Sequence, residues 1–226
     1  MLIILGIALL LSVTLLPQLV VRGIIKKHGA DRPDLPGTGG ELARHLLDRF
    51  GLETVTVEET DLGDHYDPEA KAVRLLKQHH DGRSLSAVAV ATHEVGHALQ
   101  DARGERLLAL RQRLARLALA TDRVAAMFFI AAPFLAVLAR TPIAFAALIA
   151  VGLALMSVRV VVNLITLPVE LDASFGKALP ILEEGKYLGA PDLPAAKSVL
   201  RAAAFTYVAS ALVSLINLAR WIRVLR

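Results

Sequence analysis

The sequence has no cysteine and few aromatic residues, which make up 5% of its 226 positions. Without cysteine, the chain can form neither a disulfide framework nor a zinc site built from thiolates. The net charge is +4, but no basic stretch alternates with aromatic residues, as single-strand binding surfaces require. We therefore expect no nucleic-acid partner and interpret the positive charge as flanking membrane helices.

Apolar residues are in excess, at 55% hydrophobic against 20% charged, and they are unevenly distributed. Residues 28–123 resemble a soluble protein, whereas apolar runs occupy residues 2–21, 124–139, 143–158 and 199–218. A membrane helix needs about 20 apolar residues. The two middle runs reach this length only when they are extended back to residue 117 and on to residue 167. The composition predicts a mainly α membrane protein with about four membrane-associated helices.

These runs divide the chain into an N-terminal membrane anchor (1–27), a catalytic region (28–123), a transmembrane hairpin (124–168), a loop (169–198) and a C-terminal membrane helix (199–226). Basic residues follow the first run and none precedes it, which is the opposite of a cleaved signal peptide. The positive-inside rule places the catalytic region and the 169–198 loop in the cytoplasm. The C-terminal arginines contradict this topology unless the last helix does not cross fully.

The catalytic region is predicted to be a small α+β unit. Helical spacing predicts a helix over residues 41–50, and β-branched alternation predicts a strand over 54–58 that pairs with residues 72–76 as a β-hairpin. The DLGDHYDP segment between them reads as a turn-rich loop. A helix over 84–100 carries the sequence HEVGH, and an arginine-rich amphipathic helix follows over 105–120. Pro168 is expected to end the third membrane span.

The HEVGH segment predicts a zinc site. On a helix, His93 and His97 lie four residues apart on one face, so both imidazoles can bind one Zn²⁺ ion. Glu94 lies beside them as the general base for a zinc-activated water and then as the acid for the leaving amine. The alternative is a surface helix with two solvated histidines, but the apolar residues 87–91 before the motif indicate a buried helix, in which these groups need partners.

A catalytic zinc ion usually has three protein ligands. Glu170 is the preferred third ligand because the hairpin returns it to the side of the histidines; Asp172 is the close rival, and Asp101, Glu183 and Glu184 are less favoured. Arg159, Asn163, Thr166 and Glu170 would form one polar stripe if the helix continued past Pro168. Such a stripe could face the site, although Arg159 could instead extend to the membrane interface.

Several blocks carry a resemblance to a known family: GELARHLLDRFGLETVTVEET, DHYDP, GRSLSAVAVATHEVGHALQD and LPVELDAS. In these blocks and in the order of its apolar runs, nearly the whole chain resembles the membrane-bound "putative neutral zinc metallopeptidase" family of the YugP type. The VELDAS block is distantly similar to the E-x-x-A-D signature of the HtpX and CAAX-prenyl proteases. That similarity implies Glu170 as a zinc ligand, while the aspartate of the signature is replaced by Ser174.

The resemblance implies a zinc peptidase of the bacterial cytoplasmic membrane, but it does not identify a substrate. The charge distribution places the active site on the cytoplasmic side, and we expect an endopeptidase that acts on peptides or proteins, including membrane proteins. Four residues of the DHYDP block, which are Asp64, His65, Tyr66 and Asp67, are candidates for supporting the ligands or binding substrate. Tyr66 or His65 can donate a hydrogen bond to an oxyanion; the alternative is a tight loop that ends at the proline. An amidase for a non-protein substrate and a non-catalytic membrane scaffold stay open as functions, and the sequence predicts no oligomeric state.

Overall fold

The structure is a computed structural model that describes residues 18–138 and 141–205. The predicted membrane anchor therefore lies largely outside the described residues, and only its helical residues 18–27, α1, are included. Residues 206–226 of the predicted C-terminal membrane helix also lie outside them. The part of the chain that is described is mostly helical, with one small sheet.

The part of the chain predicted as the catalytic region, residues 28–123, is built around a buried helix. Its helices are α2 (Gly39–Arg49), α3 (Lys77–His80) and α4 (Leu85–Ala102). α2 begins with a capping box, in which the Thr38 hydroxyl accepts from the Glu41 N–H and the Glu41 carboxylate accepts from the Thr38 N–H. Ser84 caps α4 in the same way through the Ala87 N–H. Every residue of α4 from Leu85 to Gln100 is buried, which confirms the prediction of a buried HEVGH helix.

The sheet has three strands, β1 (Thr56–Thr60), β2 (His65–Asp67) and β3 (Ala72–Leu76), in the order β1-β3-β2. The predicted hairpin between the first and last strands is wrong, because β1 and β3 are parallel. The DHYDP segment, which was predicted as a loop, supplies β2 instead and reverses the chain, so that β3 runs in the direction of β1. The hairpin that does form joins β2 to β3, with Lys71 at a φ of 53° in its turn.

Two long helices follow, α5 (Arg106–Leu138) and α6 (Pro142–Leu171), and they pack against each other. The amphipathic segment and the first apolar run merge into α5, because no glycine or proline separates them. Within the described residues one helix, Ile143–Glu184, is long and apolar enough to cross a membrane. Only 12% of its most apolar window is buried, unlike the core helix of a soluble protein. The other three predicted spans are not confirmed.

The helix does not end at Pro168, and the prediction of a loop from residue 169 is wrong. α6 continues into a π-helical segment (Asp172–Ala178) and then α7 (Leu179–Glu184), and α8 covers residues 193–205. Pro168 itself is exposed, whereas Val169, Glu170 and Ala173 after it are buried. Burial of the segment after the proline outweighs the local cost of a proline inside a helix.

α4 and the π-helical segment approach each other closely at Gly96. A Cβ atom at this position would lie only 2.8 Å from the Ala173 carbonyl oxygen. The absence of a side chain at Gly96 therefore allows backbone contact between the helix that carries the two histidines and the segment that follows Glu170.

We predict that Gly96→Ala lowers the free energy of unfolding by about 1–3 kcal/mol, because the added methyl group forces the two segments apart. This loss would occur although alanine is the better helix former by about 1 kcal/mol. The matched control is Gly23→Ala in α1, where an added Cβ meets nothing within 4 Å. Denaturant unfolding in detergent measures both variants. Equal stability of the two would contradict a tight contact at Gly96.

Candidate metal centre

Three buried side chains from two helices converge on one point. His93 and His97 of α4 and Glu170 of α6 each offer a ligand atom, and these atoms lie within 4.8 Å of one another. Nε2 of each histidine is 3.3 Å from Oε2 of Glu170. The structure thus brings together the three residues that the sequence selected as metal ligands.

The hydrogen bonds behind His93 fix which of its nitrogens carries the proton. The Ser174 hydroxyl lies 3.0 Å from Nδ1 of His93 and donates its own proton to the Leu200 carbonyl oxygen. Since that proton is used, the hydroxyl can only accept from Nδ1–H. Nε2 of the neutral ring then carries a lone pair that is directed towards Glu170.

Gln100 fixes the tautomer of His97 in the same way. Its amide nitrogen donates to the Val169 carbonyl oxygen at 2.9 Å and to Oδ2 of Asp172 at 2.8 Å. Its amide oxygen, 2.8 Å from Nδ1 of His97, therefore accepts from Nδ1–H. Gln100 is buried, and two of its three hydrogen bonds connect α4 to α6 and to the start of the π-helical segment.

The two tautomers leave three acceptor atoms facing one another in a buried space. With both rings neutral, two imidazole lone pairs and a carboxylate oxygen at this separation repel each other, and either a proton on Nε2 that is donated to Glu170 or a metal cation between the three atoms relieves the repulsion. Two imidazole nitrogens and one carboxylate oxygen are a ligand set that zinc hydrolases use. Metal-binding histidines typically donate the hydrogen of their other ring nitrogen to an acceptor, as both histidines do here. The residues present therefore fit a zinc ion.

Glu94 lies beside this cluster and lines the same cavity of about 240 Å³. Burial raises the pKa of the Glu94 carboxyl to about 7, although the nearby His93 acts in the opposite direction. A carboxylate with such a pKa can take up and release a proton near neutral pH.

The rest of the cavity wall comes from several elements. The polar side chains are Asp64, His65, Tyr66 and Arg111, and the apolar ones are Val21, Ile25, Val90 and Ala203. Arg111 of α5 forms an ion pair with Oε1 of Glu170 at 2.9 Å. This pair partly neutralises the buried carboxylate and connects α5 to α6 at the site.

The structure separates the two predicted oxyanion donors. The Tyr66 hydroxyl donates its only proton to Oδ2 of Asp101 at 2.7 Å. Burial, followed by the hydrogen bond to Asp101, raises the pKa of Tyr66 well above its ordinary value, so the hydroxyl stays protonated. His65 uses Nδ1 for a hydrogen bond to the Gly63 carbonyl oxygen at 2.8 Å, which leaves Nε2 for a substrate.

Other sequence candidates occupy different places. Asp67 does not line the cavity; its carboxylate binds Arg74 and the backbone N–H groups of the β2–β3 turn. Asp172 binds Gln100 and Lys177 rather than the histidine pair. Asn163 is half-buried on α6 outside the cavity lining, and the side chain of Arg159 lies outside the described residues.

Sequence reasoning missed the roles of Gln100, Ser174 and Arg111. A signal for Gln100 did exist, because it lies three residues after His97 and so shares a helix face with it. For Ser174, the sequence indicated only that a serine replaces the aspartate of the E-x-x-A-D signature. Nothing distinguishes Arg111 from the other arginines of α5, because only the packing of α5 against α6 brings it to Glu170.

One helix carries His93, Glu94 and His97, and a carboxylate from another helix is the third candidate ligand, beside a small sheet; this is the arrangement of HExxH-type metal sites. The chain belongs to the family described as "putative neutral zinc metallopeptidase", which matches residues 1–226. It is 39% identical over 209 residues to the "putative membrane protease YugP" of Bacillus subtilis (strain 168), covering 92% of this chain and 89% of that protein. No solved structure matches the chain. The family implies zinc as the cofactor, while the name of the Bacillus subtilis relative and the one candidate membrane helix support a membrane location.

We predict that Gln100→Ala weakens zinc binding about tenfold to hundredfold, because His97 loses the acceptor that fixes its tautomer. Gln100→Glu keeps that acceptor but places a carboxylate against Asp172. Adding Asp172→Asn restores a donor opposite Glu at position 100, so the double variant should bind zinc more tightly than Gln100→Glu alone. Competition with a chromophoric chelator measures all three affinities.

The matched control for this series is Ser86→Ala. It removes another buried hydrogen bond of α4, the 2.7 Å bond from the Ser86 hydroxyl to the Ile25 carbonyl oxygen, away from the metal ligands. We expect it to lower stability and leave zinc affinity unchanged. Equal loss of affinity in Ser86→Ala and Gln100→Ala would show that the effect is general destabilisation of α4.

Proposed function

We propose that this protein is a membrane-embedded, zinc-dependent endopeptidase whose site lies on the cytoplasmic side of a multi-pass fold. The observation that carries the proposal is the convergence of Nε2 of His93, Nε2 of His97 and Oε2 of Glu170, with both imidazoles held as the tautomer that can bind a metal. In this proposal these three residues are the ligands.

A bound zinc ion would act as a Lewis acid that makes water more acidic and polarises the substrate carbonyl. The chain's own contribution to proton transfer is Glu94. Its raised pKa suits a group that takes a proton from the attacking water and passes it to the leaving nitrogen. Arg111 and Gln100 hold the surrounding groups in position, the former through Glu170 and the latter through His97.

A peptide substrate is favoured over a non-protein one by the position of β2. In the described sheet β2 is an edge strand, and two of its residues, His65 and Tyr66, line the cavity that contains Glu94. An extended peptide can add to such an edge through main-chain hydrogen bonds, which places a peptide bond beside the catalytic carboxylate. His65 can then donate a hydrogen bond from Nε2 to the substrate's oxyanion. This requires a ring that carries both protons, because the Nδ1 proton is already donated to the Gly63 carbonyl oxygen.

The direct test combines metal analysis with a casein cleavage assay. We expect Glu94→Gln to keep zinc and to lose about 10²–10⁴-fold in kcat, because it removes the proton acceptor without removing a ligand. Glu170→Gln should lose zinc affinity, and Asp172→Asn should lose much less. Full zinc retention in Glu170→Gln would reject Glu170 as a ligand, and full activity in Glu94→Gln would reject the proposed chemistry.

The raised pKa of Glu94 predicts a cost in stability for the metal-free protein. Between the ordinary carboxyl pKa of 4.5 and about 7, the folded state keeps a proton that the unfolded chain has lost, so stability falls as pH rises through this window. Glu94→Gln removes the cost. In chelator-treated protein, its stability relative to wild type should improve by about 2 kcal/mol from pH 5 to pH 8. A pH-independent difference in thermal unfolding would contradict this.

A further inference from the structure

Large apolar side chains are exposed on the distal parts of α5 and α6. Met127, Ile130 and Phe134 of α5 are 63%, 74% and 72% exposed, and Ile143 of α6 is 83% exposed. A bilayer is the occupant that fits this surface, because α6 is long and apolar enough to cross one and the Bacillus subtilis relative is named a membrane protease.

On each of the two helices, one arginine ends the charge-free section on the side of the metal site. No charged residue occurs between Arg123 and the end of α5, or between the start of α6 and Arg159. Charged residues rarely enter the hydrocarbon and collect at its boundary. We place the membrane edge nearest the metal site at Arg123 and Arg159 rather than at residues 117 and 167, because charged groups rarely lie within the hydrocarbon and arginine side chains can extend from a short apolar section to the interface.

The helices fix the distance from that edge to the site. The 2.9 Å ion pair between Arg111 and Glu170 holds α5 and α6 together at the level of the site. Arg123 lies twelve residues after Arg111, and Arg159 lies eleven residues before Glu170. At about 1.5 Å per residue, the two helices give about 18 Å and about 16.5 Å. The agreement of two independent helices places both arginines at one height.

The cavity restricts what can be cut at that height. Its volume of about 240 Å³ admits an extended segment with a side chain and excludes a folded domain. Val21 and Ile25 of α1 and Ala203 of α8 close part of its wall, and β2 forms another part. The substrate must therefore be locally unfolded where it is cut.

We propose, on the basis of the peptidase function above, that the substrates are membrane-anchored polypeptides cut in their juxtamembrane segment. An extended chain covers about 3.3 Å per residue, so a span of about 17 Å corresponds to about five or six residues. The α5–α6 pair acts as a ruler that selects bonds at this distance from the bilayer.

The test uses the full chain in proteoliposomes with an unstructured casein segment fused to a single transmembrane helix. Mass spectrometry maps the first cuts, and the Glu94→Gln variant shows which cuts depend on the site. We expect early cuts within about five to ten residues of the anchor. Inserting about ten Gly/Ser residues after the anchor should move the cuts to different bonds at the same distance. The free casein segment should need on the order of 100-fold higher concentration.

The possible outcomes distinguish a failure of this inference from a failure of the peptidase function on which it rests. The ruler would be overturned if the same casein bonds were cut with and without the insert, and if free and anchored segments were cut at equal rates. The peptidase function would stand in that case. No cut that depends on Glu94 in either substrate would overturn the peptidase, and the ruler with it.

A second measurement tests the height of the metal site above the membrane and does not depend on peptidase activity. Because the chain has no cysteine, single-cysteine variants can carry a fluorescent label at chosen positions. Lipid-borne quenchers should reach a label at Met127 and not at Leu107, which lies on the far side of Arg111 from the membrane. A label at Leu62, 89% exposed beside the sheet, is the aqueous control. Equal lipid quenching at positions 107 and 127, or none at position 127, would overturn the proposed height.

Discussion

The structure depends on one electrostatic constraint: two imidazole nitrogens and a carboxylate oxygen, all buried, meet at the wall of one cavity. Each of the residues His93, His97 and Glu170 is at most 5% exposed. A buried arrangement of acceptors is unfavourable by itself, and it persists only where other interactions hold it or a cation compensates it. Much of the surrounding structure supplies those interactions, and a metal ion would supply the rest.

The backbone provides the first part of that support. α4 is buried along nearly its whole length, and the π-helical segment lies against it where Gly96 has no side chain. π-helical turns are rare and occur often at functional sites. Here the segment follows directly after Glu170 and carries Ser174 to the rear of His93. The proline before Glu170 does not break the helix, because the residues that follow it are buried against α4.

Side-chain hydrogen bonds provide the second part. Gln100 and Ser174 come from different helices, yet each accepts the Nδ1 proton of one histidine and donates to a carbonyl oxygen elsewhere. A serine hydroxyl can therefore take the place of the aspartate found in distantly similar signatures, because what the histidine requires is an acceptor. Since the serine has no charge, it leaves the net charge of the site to Glu170, Glu94, Asp64 and Arg111.

The sequence by itself was enough to predict the two candidate ligands on α4, the candidate general base, Glu170 ahead of Asp172 as the third ligand, and a mostly helical membrane protein. These follow from local periodicity, from the fixed geometry of residues four apart on a helix, and from composition. Only the tertiary structure decided the parallel pairing of β1 with β3, the continuation of the helix past Pro168, and the roles of Gln100, Ser174 and Arg111. Each of these rests on contacts between segments far apart in the chain, where burial outweighs local preference and no spacing rule applies.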